Sequence, residues 1–142
     1  MGRNAVILPE ASVAIEVPFY DVDALEVVWH GHYVKYFEVA RSALLDKIGY
    51  NYREMRESGF AWPVIELKMR YAKPARFGQN LTVRAHLMEY ELRLKIGYLV
   101  VDTVSGERLT KGHTIQVAVD MISQEMRLAS PKVLTDKLAA LK

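Results

Sequence analysis

Between Ser12 and Phe19 the apolar side chains Val13, Ile15, Val17 and Phe19 recur every second residue, the period of a strand with one buried face. Pro18, which has no N–H to donate, predicts that pairing stops there. From Tyr33 the period lengthens. Tyr33, Phe37, Ala40, Leu44 and Ile48 follow helical spacing, and Gly49 supplies the stop. Val34, Val39, Ala43 and Leu45 widen the apolar stripe beyond one face, so this helix is expected to be wrapped by other structure. A shorter polar helix is predicted over Tyr52 to Glu57, closed by Ser58 and Gly59.

Strand character dominates from there to about Asp120. Ala61 to Tyr71, Asn80 to Glu89, Leu92 to Thr103 and Arg108 to Val119 are rich in Val, Ile, Leu, Thr and Tyr. Pro74 and Gly78 separate the first two, Ser105-Gly106 marks a hairpin between the last two, and Asp120 to Gln124 reads as a turn before a short last strand. Ser130 as N-cap and Pro131 in the first turn predict a short C-terminal helix. The order is one strand, one long apolar helix, then four or five strands with short connections. That order predicts an α+β fold in which an antiparallel sheet, successive strands side by side, curls around a central helix.

Composition narrows the function. The 142 residues suffice for one core, so residues 1–142 are expected to form a single domain. The 19 basic and 17 acidic residues are spread without a block of one sign, which argues against nucleic acid as a partner. Local groups, Lys68, Arg70, Lys73 and Arg76 in one stretch and Arg93 with Lys95 in another, could still serve a small anionic ligand. Cysteine is absent, which excludes disulfides, thiolate metal sites and a cysteine nucleophile. No signal-like start and no apolar run near the roughly 18 residues of a membrane span are visible, so a soluble, cytoplasmic protein is expected.

The chemistry concentrates in Phe19 to Tyr33, where Asp21, Asp23, His30 and His32 stand in an otherwise apolar stretch directly before the helix. From the turn alone, Asp-x-Asp is ordinary turn and cap chemistry. His30 and His32 lack a third ligand at a recognisable zinc spacing, so no metal site is expected. Tyr20, Trp29 and Tyr33 suit core or interface packing, or the lining of a pocket. Glu38 and Arg41 read as a pair one turn apart, worth about 0.2–0.5 kcal/mol if exposed, the alternative being that Arg41 buttresses an interface.

Two stretches together resemble the 4-hydroxybenzoyl-CoA thioesterase family of hot-dog fold enzymes. One is Phe19-Tyr-Asp-Val-Asp-Ala-Leu-Glu-Val-Val-Trp-His-Gly-His-Tyr33, continuing to Glu38 and Arg41; the other is Lys68-Met-Arg-Tyr-Ala-Lys-Pro-Ala-Arg-Phe-Gly-Gln-Asn-Leu-Thr-Val83. The resemblance, extending from about Ser12 to Arg127, implies a five- or six-stranded sheet around the central helix. It also implies a homodimer or homotetramer with the site at the dimer interface, and an acyl-CoA or aroyl-CoA substrate whose coenzyme A is not a separate cofactor. Asp23 matches the family's catalytic carboxylate, as nucleophile or as base for water. The N–H groups of His30 and Gly31 match the oxyanion hole, and the His30 imidazole matches a histidine of the short-chain acyl branch. Tyr20, Glu26 and Tyr33 are candidates for the acyl pocket, and Arg76, Arg93 and Lys95 for the nucleotide phosphates. Glu26 departs from the pattern, standing where the family usually has glycine; if that position needs a positive φ the glutamate is strained. Two rival functions are a non-catalytic acyl-CoA binding module, which has no need of Asp23, and a hot-dog hydratase or dehydratase, whose histidine loop differs.

Overall fold

The computed structural model describes residues 8–141; the expectations about the start of the chain and about a domain reaching both ends fall partly outside that range. The elements are β1 (Glu10–Glu16), α1 (Tyr33–Ile48), α2 (Tyr52–Glu57), β2 (Phe60–Ala61), β3 (Val64–Tyr71), β4 (Asn80–Glu89), β5 (Leu94–Asp102), β6 (Arg108–Gln116), β7 (Val119–Asp120) and α3 (Lys132–Ala139), with short 3-10 turns at Phe19–Asp21 and His30–His32. A five-stranded antiparallel sheet in the order β1-β4-β5-β6-β3 wraps α1, and β2 pairs separately with β7.

Successive strands are neighbours only from β4 to β6, which corrects the expectation of a simple meander. β3 closes one side of the sheet on β6 while β4 pairs with β1 on the other, so residues 72–79 must carry the chain between them. This crossover passes the start of α1, where Ala75 meets both Val28 and Tyr33. The expected strand from Ala61 to Tyr71 is divided at Pro63, which cannot donate to a ladder. Phe19 does not join the buried alternation of the first strand: the chain turns after Pro18 and leaves Phe19 71% exposed. The turn after Asp120 forms, with Asp120 Oδ1 accepting from Ile122 N–H (2.8 Å) and Ser123 N–H (2.9 Å); the strand expected beyond it shrinks to a single bridge between Val119 and Met126. Pro131, not Ser130, occupies the N-cap of α3, and the Ser130 hydroxyl caps nothing.

Why α1 is a helix is a question of burial. Tyr33, Tyr36, Phe37 and Val39 are indifferent helix formers, each costing up to about 0.7 kcal/mol relative to alanine. Burying one Phe or Leu side chain is worth about 1.5–3 kcal/mol, so packing decides. Phe37, Ala40 and Leu44 are buried against the inner faces of β4 (Leu81, Val83, Ala85, Leu87) and β5 (Leu94, Ile96, Tyr98, Val100). Gly49 in the left-handed region (φ 82°) ends the helix, as its sequence predicts. Arg41 corrects another expectation: its pair with Glu38 forms, but the guanidinium is buried and also donates to the Tyr52 hydroxyl at 3.0 Å. It is a core ion with its partners supplied, unlike an exposed pair.

The Phe37 ring stacks on Tyr98 with centroids 4.3 Å apart, and burial pushes the Tyr98 hydroxyl up to about 12. Gly112 makes this stack possible, because a Cβ there would lie 2.1 Å from the Lys68 carbonyl oxygen and 2.9 Å from Phe37 Cε2. Gly112→Ala therefore forces β3 or α1 to shift. We expect it to lower the unfolding free energy by about 1–3 kcal/mol, measured by urea denaturation.

Candidate active site

The segment between β1 and α1 is a small hairpin held at three places. Val22 bridges Val28, Val27 bridges Arg76, and Val28 N–H donates to the Ala75 carbonyl at 2.8 Å. The Tyr33 hydroxyl accepts from Ala75 N–H at 3.2 Å, so both similar sequence stretches meet at this residue. Asp23 opens the turn itself: its carbonyl accepts from Glu26 N–H (2.9 Å) and its Oδ1 from Leu25 N–H (2.8 Å). The ordinary Asx-turn reading is thus correct, and it uses one carboxylate oxygen. No donor among the described residues engages Oδ2.

Glu26, at the tip, has φ 65°, so the conformation that glycine would adopt without strain is present. The side chain carries this strain without reaching the cleft below the turn. Glu26→Gly is expected to raise stability by about 0.5–1 kcal/mol in a urea melt, strain relief being offset in part by the freer unfolded chain.

Asp23 lines a cleft of about 290 Å³ together with Val27, Val28, His30, Tyr33, Tyr71, Ala72, Lys73 and Pro74. The 3-10 turn at His30–His32 runs directly into α1, and neither start carries a side-chain cap or an acidic residue in its first turn. No carbonyl among the described residues accepts from the N–H of His30 or Gly31. The Trp29 carbonyl accepts from His32 N–H at 2.9 Å, so across the trans peptide the His30 N–H is directed away from the helix. It lies at the positive end of the helix dipole, where a developing negative charge is stabilised.

Of the expected site residues, Asp23, His30 and Tyr33 come together in the cleft, with Tyr33 buried and Asp23 exposed. Gly31 lies outside the lining. A Cβ there would meet the Trp29 ring at 2.1 Å, so glycine is needed for the indole to fold over the turn. Tyr20 is 69% exposed and edge-on to Phe19, while Arg76 sits at the bridge to Val27 with its side chain exposed. Arg93 and Lys95 stand near the start of β5, both near Glu89 (3.2 and 3.7 Å). Lys95 is aligned through Ile115 with Glu66, five residues along β3 from Tyr71, or about 16 Å.

Two residues at this site were given no role from the sequence. Tyr71 donates its hydroxyl to the His30 carbonyl at 3.0 Å, fixing the peptide beyond it. Asp21 is buried, accepting from Lys35 Nζ and the Tyr36 hydroxyl at 2.7 Å each, while its carbonyl accepts from Trp29 N–H at 3.0 Å. Burial alone would raise the Asp21 pKa; the hydrogen bonds from Lys35 and Tyr36 outweigh it and hold the carboxyl below the usual carboxylate range. Burial, followed by the bond to Asp21, pushes the Tyr36 hydroxyl up. The only signal for Asp21 was its place as the first member of Asp-x-Asp.

The sequence model of the Thioesterase-like superfamily matches residues 17–138, and the chain belongs to that superfamily. YneP of Bacillus subtilis (strain 168), named as a candidate acyl-CoA thioesterase, is 29% identical over 75% of this chain and 77% of its own length. The DHNA-CoA thioesterase of Staphylococcus aureus superposes with a TM-score of 0.75 at 27% identity, covering 84% of this chain and 80% of its own. A 4-hydroxybenzoyl-CoA thioesterase bound to 4-hydroxybenzoyl-CoA shares the fold, with a TM-score of 0.78 at 16% identity over 91% of this chain and 98% of its own. The hot-dog architecture and the thioesterase family expected from the two sequence stretches are therefore those of this chain.

Because the Asp21 pKa is lower in the folded than in the unfolded state, its ionised form contributes stability above the unfolded value, near pH 4, and this is lost as pH falls through the folded value. Asp21→Asn is expected to be less stable than the parent at pH 7. Its unfolding free energy should also fall less between pH 5 and pH 2, as followed by urea denaturation across that range.

Proposed function

We propose that the protein hydrolyses acyl-CoA or aroyl-CoA thioesters to the free acid and coenzyme A. The observation that carries this reading is that Asp23, with one carboxylate oxygen unengaged, and His30, whose N–H has no acceptor among the described residues, line one cleft at the start of α1. A thioester carbonyl there would place its oxygen at the His30 N–H, where negative charge develops as the carbonyl is attacked. Asp23 then either attacks the carbonyl carbon, giving a mixed anhydride that water opens, or removes a proton from the attacking water. In both routes the sulfur bond breaks and the thiolate of coenzyme A leaves without a strong acid. The thioesterase names of the relatives support the reaction class.

The site reading is completed by a homodimer. The cleft of one chain lies at the small end of the roughly 300–1,000 Å³ typical of ligand sites. β3 is an open sheet edge whose Ile65, Leu67 and Tyr71 are 58%, 42% and 47% exposed, an apolar edge that a second copy could cover. Among the described residues no helix is long and apolar enough to cross a membrane; a cytoplasmic location belongs to this proposal. No group of three or more metal-ligating His, Asp or Glu side chains occurs among the described residues, and the proposed chemistry needs no cofactor beyond the coenzyme A of the substrate.

Thiol release from a panel of acyl- and aroyl-CoAs tests the reading. Asp23→Asn is expected to lose at least about 100-fold in kcat with KM little changed, whereas His30→Ala, which keeps its backbone N–H, should lose about tenfold or less. Equal turnover by the parent and Asp23→Asn would remove Asp23 from the mechanism. Binding without turnover by the parent would make the protein an acyl-CoA binding module.

A further inference from the structure

The outer face of the sheet, turned away from α1, carries a second cleft of about 570 Å³. Strand register explains its chemistry. Arg70, Lys111, Leu99 and Arg84 form one row across β3, β6, β5 and β4, and Lys68, His113, Gly97 and His86 form the next. Successive members on each strand are two residues apart, so both rows share a face. Arg108 and Met88 add to the lining, which contains no Asp or Glu.

The cations are unevenly committed. Arg84 lies 3.8 Å from Glu10, and His113 is 2.6 Å from Glu66. Lys68, Arg70, Arg108 and Lys111 have no carboxylate partner among the described residues. Arg70 stands directly opposite Lys111, a like-charge cross-strand pair that destabilises an empty sheet. Beside them lie His86, Met88 and Gly97. A Cβ on Gly97 would lie 2.5 Å from the His86 ring and 2.9 Å from Met88 Sδ, so glycine lets both side chains lie across the strand. His86 Nδ1 is buried there with no hydrogen-bond partner among the described residues.

We infer that this outer face binds a polyphosphorylated nucleotide, its base lying on the floor of His86, Met88 and Gly97 and its phosphates on Lys68, Arg70, Arg108 and Lys111. Guanidinium and ammonium groups at adjacent strand positions suit clustered phosphate oxygens, and a partly apolar floor suits a base. Two copies of this face would oppose each other with the same sign of charge, which disfavours back-to-back self-association. The site is distinct from the Asp23 cleft: Tyr71 lines that cleft, whereas its neighbour Arg70 points to the other side of the sheet. The nucleotide could be the end of a coenzyme A or a free nucleotide; both present the same phosphates.

Calorimetric titration of the whole protein with adenosine 3′,5′-bisphosphate, ATP and coenzyme A tests the site directly, whether or not the protein is a thioesterase. Saturable binding is expected, weakened by added salt, with about a tenfold loss in Arg70→Gln or Lys111→Gln and a larger loss in the double variant. Both positions face outward, and a thermal melt of each variant confirms its folding. Where the variants raise KM for an acyl-CoA but not for the matching acyl-pantetheine, the nucleotide is the substrate's own; where neither KM moves, it is a free nucleotide. Either result supports the site. No saturable nucleotide binding, binding unchanged in the double variant, or binding of polyglutamate alone, which would mark a face for an acidic protein, would overturn it.

Discussion

The structure around the candidate site depends on a buried carboxylate. Asp21 is removed from water, and a charge so placed is costly unless its oxygens are bonded. Lys35 and Tyr36, one turn into α1, supply those bonds, so the hairpin cannot leave the helix without exposing or stranding the charge. The Asp21 carbonyl also takes the Trp29 N–H, which sets where the chain enters the helix. The position of the His30 amide is set with it.

A second constraint comes from topology. Since β3 and β4 lie on different sides of the β5-β6 pair, the crossover between them must pass the helix start, and there Ala75 binds both Val28 and the Tyr33 hydroxyl. Two stretches about 45 residues apart in the chain, counted from Val28 to Lys73, thereby become walls of one cleft. Tyr71 joins them from the end of β3 by holding the His30 carbonyl. The cleft is thus defined by hydrogen bonds that tie three backbone segments together, two of them made by the lining side chains Tyr33 and Tyr71.

The sheet separates two chemistries. Its inner face packs on α1 through Phe37, Tyr98 and their neighbours, with the Asp23 cleft at one end. The outer face is free of that packing requirement, and Lys68, Arg70, Arg84, Arg108 and Lys111 make it basic. Gly112 and Gly97 show how closely each face is used, the first admitting Phe37 and the second His86 and Met88.

Local pattern was enough for the elements and for the chemical type of the site. Helical periodicity ending at Gly49 defined α1, Val- and Ile-rich runs located β4, β5 and β6, and the paired stretches around Asp23 and Pro74 identified the family. Period and turn chemistry suffice for this, because they act over a few residues. Glu26 was legible in part: a glycine position filled by glutamate raised the question of a positive φ, and the folded turn has one. Which residues meet was settled by the folded chain alone. Nothing in the local pattern distinguishes a buried Asp21 from an exposed Asp23, an Arg41 sunk in the core from one in water, or a Tyr71 that reaches His30 from any other strand tyrosine. Nor could it place Arg70 opposite Lys111 and Lys68 opposite His113 while Arg93 and Lys95 stand near Glu89. Burial and strand register depend on contacts between residues distant in the chain, and those exist only once the sheet has closed around the helix.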